Sequence, residues 1–183
     1  MMVATPVNRA SPTALSLEEF IAHPPDGMEW VDGNSITKTG MTIKHSVVQG
    51  RLTRHWGDFI LETNQGGEVC PEAPCRTLKQ ARRPDVAYIT PELLAQFGDI
   101  TVLPQSFPLI AEVASPDDKA EDLFAKAQEY LASGCEEVWL LFPESCLVMV
   151  NAQEGWQIFQ MGEVASTQVM LPGFQISVEV LFK

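Results

Sequence analysis

Glu112 interrupts the apolar run "FPLIAEVASP" (Phe107 to Pro116), where Leu109, Ile110, Ala111, Val113 and Ala114 read as a short, fully buried strand. A carboxylate in such a place is costly to bury without a partner. A second acid, Asp85, follows Pro84 at the start of "PDVAYI", where proline fixes the entry to a strand and the carboxylate would project from its beginning. Downstream of Glu112, Leu123, Ala127, Tyr130 and Leu131 mark one face of a helix, and Lys126 falls on that same face. Two carboxylates that leave room for water suit Mg²⁺ or Mn²⁺, and an ammonium beside them can orient a water or stabilise charge developing on a phosphate. Each residue also has an ordinary account: Asp85 as a turn residue leading a strand, Lys126 as a stem lying over the core edge with its ammonium in water. The combination favours chemistry, because the inward acid lies on the strand that feeds the helix carrying the inward lysine. His45, near the start of an earlier helix, could orient a phosphate or a water, or could serve only as a hydrogen-bonding residue at the helix N-terminus.

Such a set needs neighbouring strands with a helix packed on them. Ser16 with Glu19 forms a capping box for "SLEEFIAH", which Pro24 and Pro25 end. "MEWVDGNSIT" predicts a hairpin turning at Asp32, Gly33 and Asn34. From Lys44 to about Leu61, the positions of Val47, Val48, Leu52, Trp56, Phe59 and Ile60 have helical spacing, with Gly66 and Gly67 as the stop. Strands are predicted at 68–70, 75–78, 85–89 and 109–114, with a short helix starting at Thr90-Pro91 between the last two. A second long helix spans about 118–133 and closes at Gly134. Beyond it "EEVWLLF", "CLVMVNA" and "GWQIFQ" read as consecutive strands with turns at 143–145 and 153–155, and "LPGFQISVEVLF" ends in a strand or short helix. Helices alternating with strands, then a run of strands, predict an α/β or α+β fold with helices against a central sheet.

At 183 residues and 45% hydrophobic content, one globular domain over 15–183 is expected, led by a flexible segment over 1–14. The opening residues lack a signal-peptide core and no apolar stretch could span a bilayer, so a cytoplasmic protein is expected. Cys70, Cys75, Cys135 and Cys146 lack zinc-ligand spacing and read as free thiols. Trp30, Trp56, Trp139 and Trp156 read as core residues. The net charge of −12 argues against a nucleic-acid binder until its distribution is considered. Residues 38–83 carry eight of the twelve basic side chains, and Arg76, Lys79, Arg82 and Arg83 stand immediately before Asp85, a candidate surface for DNA phosphates. A solvated surface with chance clustering is the alternative.

"RRPDVAYI", "FPLIAEVASPDD", "AKAQEYLASGCEEVWLLFPE" and the closing "LPGFQISVEVLF" together resemble the Uma-two family of restriction-type endonucleases, a branch of the PD-(D/E)XK nuclease superfamily abundant in cyanobacteria. "EWVDGNSI" is similar to the family's early hairpin and "KHSVVQGRL" to its histidine-bearing helix start, with His45 at the family position. The resemblance implies a restriction-endonuclease-like central mixed sheet flanked by helices, and a divalent ion held by Asp85, Glu112 and the backbone carbonyl of Val113. Two residues after the glutamate, where the superfamily places its lysine, this chain has Ala114. Lys126 matches the helix position to which the family commonly moves that lysine, with Lys119 as runner-up. Asn34 stands where the family's hairpin often carries glutamate, and Glu29 is the candidate for an additional acid. The expected function is Mg²⁺- or Mn²⁺-dependent hydrolysis of DNA phosphodiesters. A catalytically silent binding or self-assembly module with the same fold is the alternative, and a homodimer is left open.

Overall fold

The computed structural model describes residues 15–38, 41–152 and 155–183. The expected N-terminal lead and residues 153 and 154 of the expected last turn lie outside them. Helix α1 (Leu17–Ala22) is capped reciprocally by Ser16 and Glu19. Strands β1 (Met28–Val31) and β2 (Asn34–Thr37) form the hairpin, with Asp32 (φ 48°) and Gly33 (φ 84°) both left-handed at its tip, the backbone a two-residue turn requires. Helix α2 (Ile43–Thr63) starts on a Thr42 cap and ends at Asn64 (φ 53°), so an asparagine, ahead of Gly66 and Gly67, supplies the left-handed stop. Next come β3 (Glu68–Pro71), β4 (Cys75–Arg76), β5 (Ala81–Arg82) and β6 (Val86–Ile89). The extended run expected over 75–78 is shorter, because Thr77 turns back onto Gln80. Helix α3 (Pro91–Phe97) begins on Thr90 with proline in its first turn. Then follow β7 (Leu109–Val113), α4 (Ala120–Leu131), β8 (Glu137–Phe142), β9 (Leu147–Ala152), β10 (Gly155–Phe159), β11 (Val164–Ser166), β12 (Gln175–Ser177) and α5 (Val178–Phe182). The tail thus holds both a strand and a short helix.

The central sheet has the order β10-β9-β8-β7-β6-β3 and is mixed. Only β7 and β8 pair in parallel, joined by the α4 crossover; the other neighbours are antiparallel. Helices cover both faces, which is why the middle strands read as continuous apolar runs. On one face Val48, Leu52, Trp56 and Ile60 of α2 pack on Val86, Leu109, Ala111 and Trp139. On the other, Leu123, Ala127 and Tyr130 of α4 pack on Ala87, Ile110, Val138 and Leu140. Side chains alternate along β7, so Ile110 and Glu112 point toward α4. A smaller sheet, β2-β1-β5-β4, carries α1 through Leu17, Phe20 and Ala81.

Glu137, fully buried, fastens the closing segment. Its Oε2 accepts the amides of Gln168, Val169 and Met170 at 2.9, 2.7 and 3.1 Å, and its Oε1 accepts the Trp139 indole at 2.7 Å. All four cysteines are free, and Trp56 and Trp139 are core residues in edge contact. Among the described residues no helix is long and apolar enough to cross a membrane.

Candidate active site

The β6–β7 register pairs Val86 with Ala111; carried one residue further it sets Asp85 across from Glu112. Asp85 Oδ2 accepts the Val113 amide at 2.7 Å, which holds the residue ahead of β6 against the end of β7. Glu112 Oε1 accepts the Tyr130 hydroxyl at 2.7 Å and pairs with Lys126 Nζ at 3.0 Å. Lys126 and Tyr130, one turn apart on the inner face of α4, therefore grip one carboxylate oxygen together. Lys126 Nζ also lies 3.0 Å from Glu29 Oε1 on β1. Asp85, Glu112 and Lys126 thus converge as the sequence predicts, and Glu29 joins them.

His45 is buried at the start of α2, its amide capped by Thr42 Oγ1. Its Nδ1 lies 3.2 Å from Ser115 Oγ, just past β7. Its Nε2 is 3.3 Å from Asp85 Oδ1 but not aligned as a directed hydrogen bond. The histidine thus belongs to the helix start and also faces Asp85.

Burial would raise the Asp85 carboxyl, but His45 and the Lys38 ammonium outweigh it and hold the group well below the usual carboxylate range. Burial dominates at Glu112 and, with the repulsion of Asp85, pushes that carboxyl up despite the attraction of Lys126. At Glu29, burial is overcome by Lys126, the Arg83 amide and Arg82, so its carboxyl is lowered. Lys126, although buried, is held protonated by Glu112 and Glu29. Two facing acids pushed in opposite directions mark a site with charge to accommodate.

A cavity of about 550 Å³ opens over these residues. Glu29, Asp32, Asp85, Glu112, Asp118, Asp122 and Glu129 line it against Lys38, Arg82 and Lys126, with His45 and Val113 also on its wall. Acids outnumber cations there by more than two to one.

The basic stretch before Asp85 is mostly turned inward. Arg82 forms a bidentate pair with Glu129, Nη2 to Oε2 at 2.6 Å, and reaches Glu29 at 3.3 Å, with 12% of its side chain exposed. Arg83 donates its amide to Glu29 and its guanidinium to the Glu72 carbonyl. Arg76 pairs with Glu18, while Lys79 is exposed with no ion pair among the described residues. Lys119 is exposed at the α4 cap and is not among the residues lining the cavity, and exposed Asn34 hydrogen-bonds the Asp32 carbonyl in the hairpin turn.

Two site residues were not expected from the sequence. Tyr130 reads in the sequence as part of the apolar face, although a hydroxyl on that face beside Lys126 is a readable sign. Lys38 follows the exposed strand β2 and nothing in its sequence context points inward, yet its ammonium reaches Asp85 Oδ1 at 2.5 Å.

Among the described residues no cluster of three or more His, Cys, Asp and Glu side chains is arranged to hold a metal alone. Asp85 and Glu112 nevertheless fit a hard ion that keeps several waters. They offer oxygens side by side, one from just ahead of β6 and one from β7, and Glu112 Oε2 accepts no hydrogen bond among the described residues, its partners Tyr130 and Lys126 both being on Oε1.

No curated protein matches this chain. A crystal structure described as "a putative nuclease belonging to DUF820 from Anabaena variabilis" superposes with a TM-score of 0.80 at 18% identity, covering 91% of this chain and 97% of that one. At such identity the likeness establishes the fold alone. A DrdV–DNA complex matches with a TM-score of 0.38 at 12% identity, over 63% of this chain and 12% of that one, too slight a likeness to carry an argument. The profile of the Uma2 family, described as "Putative restriction endonuclease", matches residues 15–179. Matched over nearly its whole length, the chain belongs to the Uma2 family.

Proposed function

We propose that the chain is a divalent-metal-dependent endonuclease acting on DNA phosphodiesters, with Asp85 and Glu112 as metal ligands and Lys126 as the catalytic lysine. The observation that supports this best is Lys126 Nζ, 3.0 Å from both Glu112 and Glu29, delivered by the crossover helix to the acid of β7. When bound, Mg²⁺ or Mn²⁺ would supply Lewis-acid polarisation of a phosphate oxygen and make a water acidic enough to attack. The Val113 carbonyl is the third ligand in this reading. Lys126 steadies the attacking water or the charge developing on phosphorus oxygens, and Glu29 with Arg82 keeps its ammonium aimed. Tyr130 fixes the Glu112 rotamer through Oε1, leaving Oε2 for the ion. His45 borders Asp85 through Nε2, and Ser115 Oγ lies against the other ring nitrogen.

The acid excess of the cavity wall repels a polyanionic substrate, so this reading requires that cations accompany the DNA. Of the basic stretch, Lys79 is the residue exposed for phosphate contact, and Arg82 serves instead to order Glu29 and Glu129.

The test is nicking of supercoiled plasmid in Mn²⁺ by the wild type, Glu112→Gln and Lys126→Met, each first shown by circular dichroism to be folded. Wild type is expected to nick, and each variant to lose about 10²-fold or more in rate. Failure of the wild type to cut either single- or double-stranded DNA would overturn the proposal in favour of a silent binding module.

A further inference from the structure

Lys38 has no part in the hydrolysis just described, yet it is one of the best-satisfied side chains of the cavity. Its ammonium donates to Asp85 Oδ1, to both Glu72 oxygens at 3.1 and 3.2 Å, and to the Arg83 carbonyl at 2.9 Å, with 16% of the side chain exposed. Three fixed acceptors around one ammonium form a built cation site, and the cation in it is part of the chain. One acceptor is an oxygen of the first metal ligand. Another, Glu72, stands outside the residues that line the cavity. Gln49 keeps Glu72 in place: its Nε2 donates to Glu72 Oε1 at 3.0 Å and to the Asp85 backbone carbonyl at 2.8 Å.

We propose that Lys38 is a tethered competitor of the metal: it neutralises Asp85 while no ion is bound, and metal entry requires its ammonium to withdraw from Asp85 onto Glu72 and the Arg83 carbonyl. The inference rests on the reading of Asp85 as a metal ligand. A divalent ion and an ammonium crowded on one oxygen of a buried carboxylate repel strongly, so one must give way. Lysine suits that role because its four-carbon stem lets the charge move while its anchor stays in place. Withdrawal loses one of three acceptors and keeps two, so the ammonium is never left unpaired. The device spares the site an uncompensated Asp85 opposite Glu112 when the metal is absent, and it weakens metal binding by the work of displacing the lysine.

The experiment is calorimetric titration of Mn²⁺ into the full chain as wild type, Lys38→Met, Glu72→Gln, the double variant and Asp85→Asn. Lys38→Met is expected to bind about tenfold or more tighter than wild type, because no resident charge remains to be moved. Glu72→Gln is expected to weaken binding in the wild-type background and to change it little in the Lys38→Met background, since its effect runs through the lysine. Equal or weaker binding by Lys38→Met overturns the inference, as does an equal loss from Glu72→Gln in both backgrounds. Should Lys38→Met fail to fold, Glu72→Gln alone decides: unchanged or tighter binding overturns it. If Asp85→Asn binds as well as wild type, or neither wild type nor Lys38→Met binds, the metal reading itself falls and this inference falls with it.

Discussion

Glu29 remains ionised at a depth where burial alone would neutralise it, because Lys126, the Arg83 amide and Arg82 surround it. Its carboxyl is therefore held below its ordinary 4.5 in the folded chain. An acid lowered in this way adds stability that is complete above its unfolded value and is lost as pH falls through the folded one. Asp85 acts in the same direction, whereas Glu112, raised by burial, opposes folding increasingly as pH rises above 4.5. Glu29→Gln should thus show a shallower loss of stability between pH 5 and pH 3 than wild type, on the order of one titrating group less. At neutral pH the same variant should be about 3–5 kcal/mol less stable, since Lys126 and Arg82 lose a buried partner. Urea denaturation from neutral pH down to pH 3 measures both, and an unchanged pH slope would refute the account. At this scale the sequence was legible where an acid broke an apolar pattern, as at Glu112, or where a lysine fell on an apolar face, as at Lys126. It was misleading at Arg82, because a sequence shows the sign of a charge but not the distant Glu129 that neutralises it. Lys38 was hidden for a related reason: its three acceptors come from segments 34 to 47 residues away.

Among the elements, the turn from α2 into β3 passes close against β6. A Cβ on Gly67 (φ +78°) would meet the Ile89 carbonyl at 2.3 Å and the Tyr88 ring at 2.7 Å. Gly67→Ala should therefore cost about 3 kcal/mol or more, combining a left-handed backbone with a clash against β6. Gly50, inside α2 with open space around its Cβ position, is the contrasting case, and Gly50→Ala should gain about 0.5–1 kcal/mol. Thermal melts of the two variants check the pair, and a similar shift for both would be incompatible with the packing described. Element types were largely readable, because helix spacing in α2 and α4 and the apolar runs of β6 to β9 are strong local patterns. Boundaries were less so. The glycines expected to stop α2 yield to Asn64, and Gly67 instead makes room for a neighbouring strand, a tertiary demand that no local pattern announces.

For the molecule as a whole, a net charge of −12 and an acid-lined cavity mean that, on the proposed reading, DNA would have to be met with cations present. Filter binding in Ca²⁺ across a salt series should show that Lys79→Ala lowers the slope of log K against log salt by up to about 0.9, whereas Arg82→Ala leaves the slope unchanged. A shallower slope for Arg82→Ala would mean that its pair with Glu129 opens on DNA. The layering of the fold has a mechanical consequence. Glu112 rides on β7 and Asp85 is fastened to its end through the Val113 amide, but Lys126 rides on α4, which meets the sheet through side-chain packing at Leu123, Ala127 and Tyr130. A rigid rod resting on a stiff plate can slide or tilt as a unit, and its charge travels with it. The stiffness of that seam therefore acts as a tuning screw on the spacing between lysine and acids, and a softened seam would detune the site without altering any group that lines it.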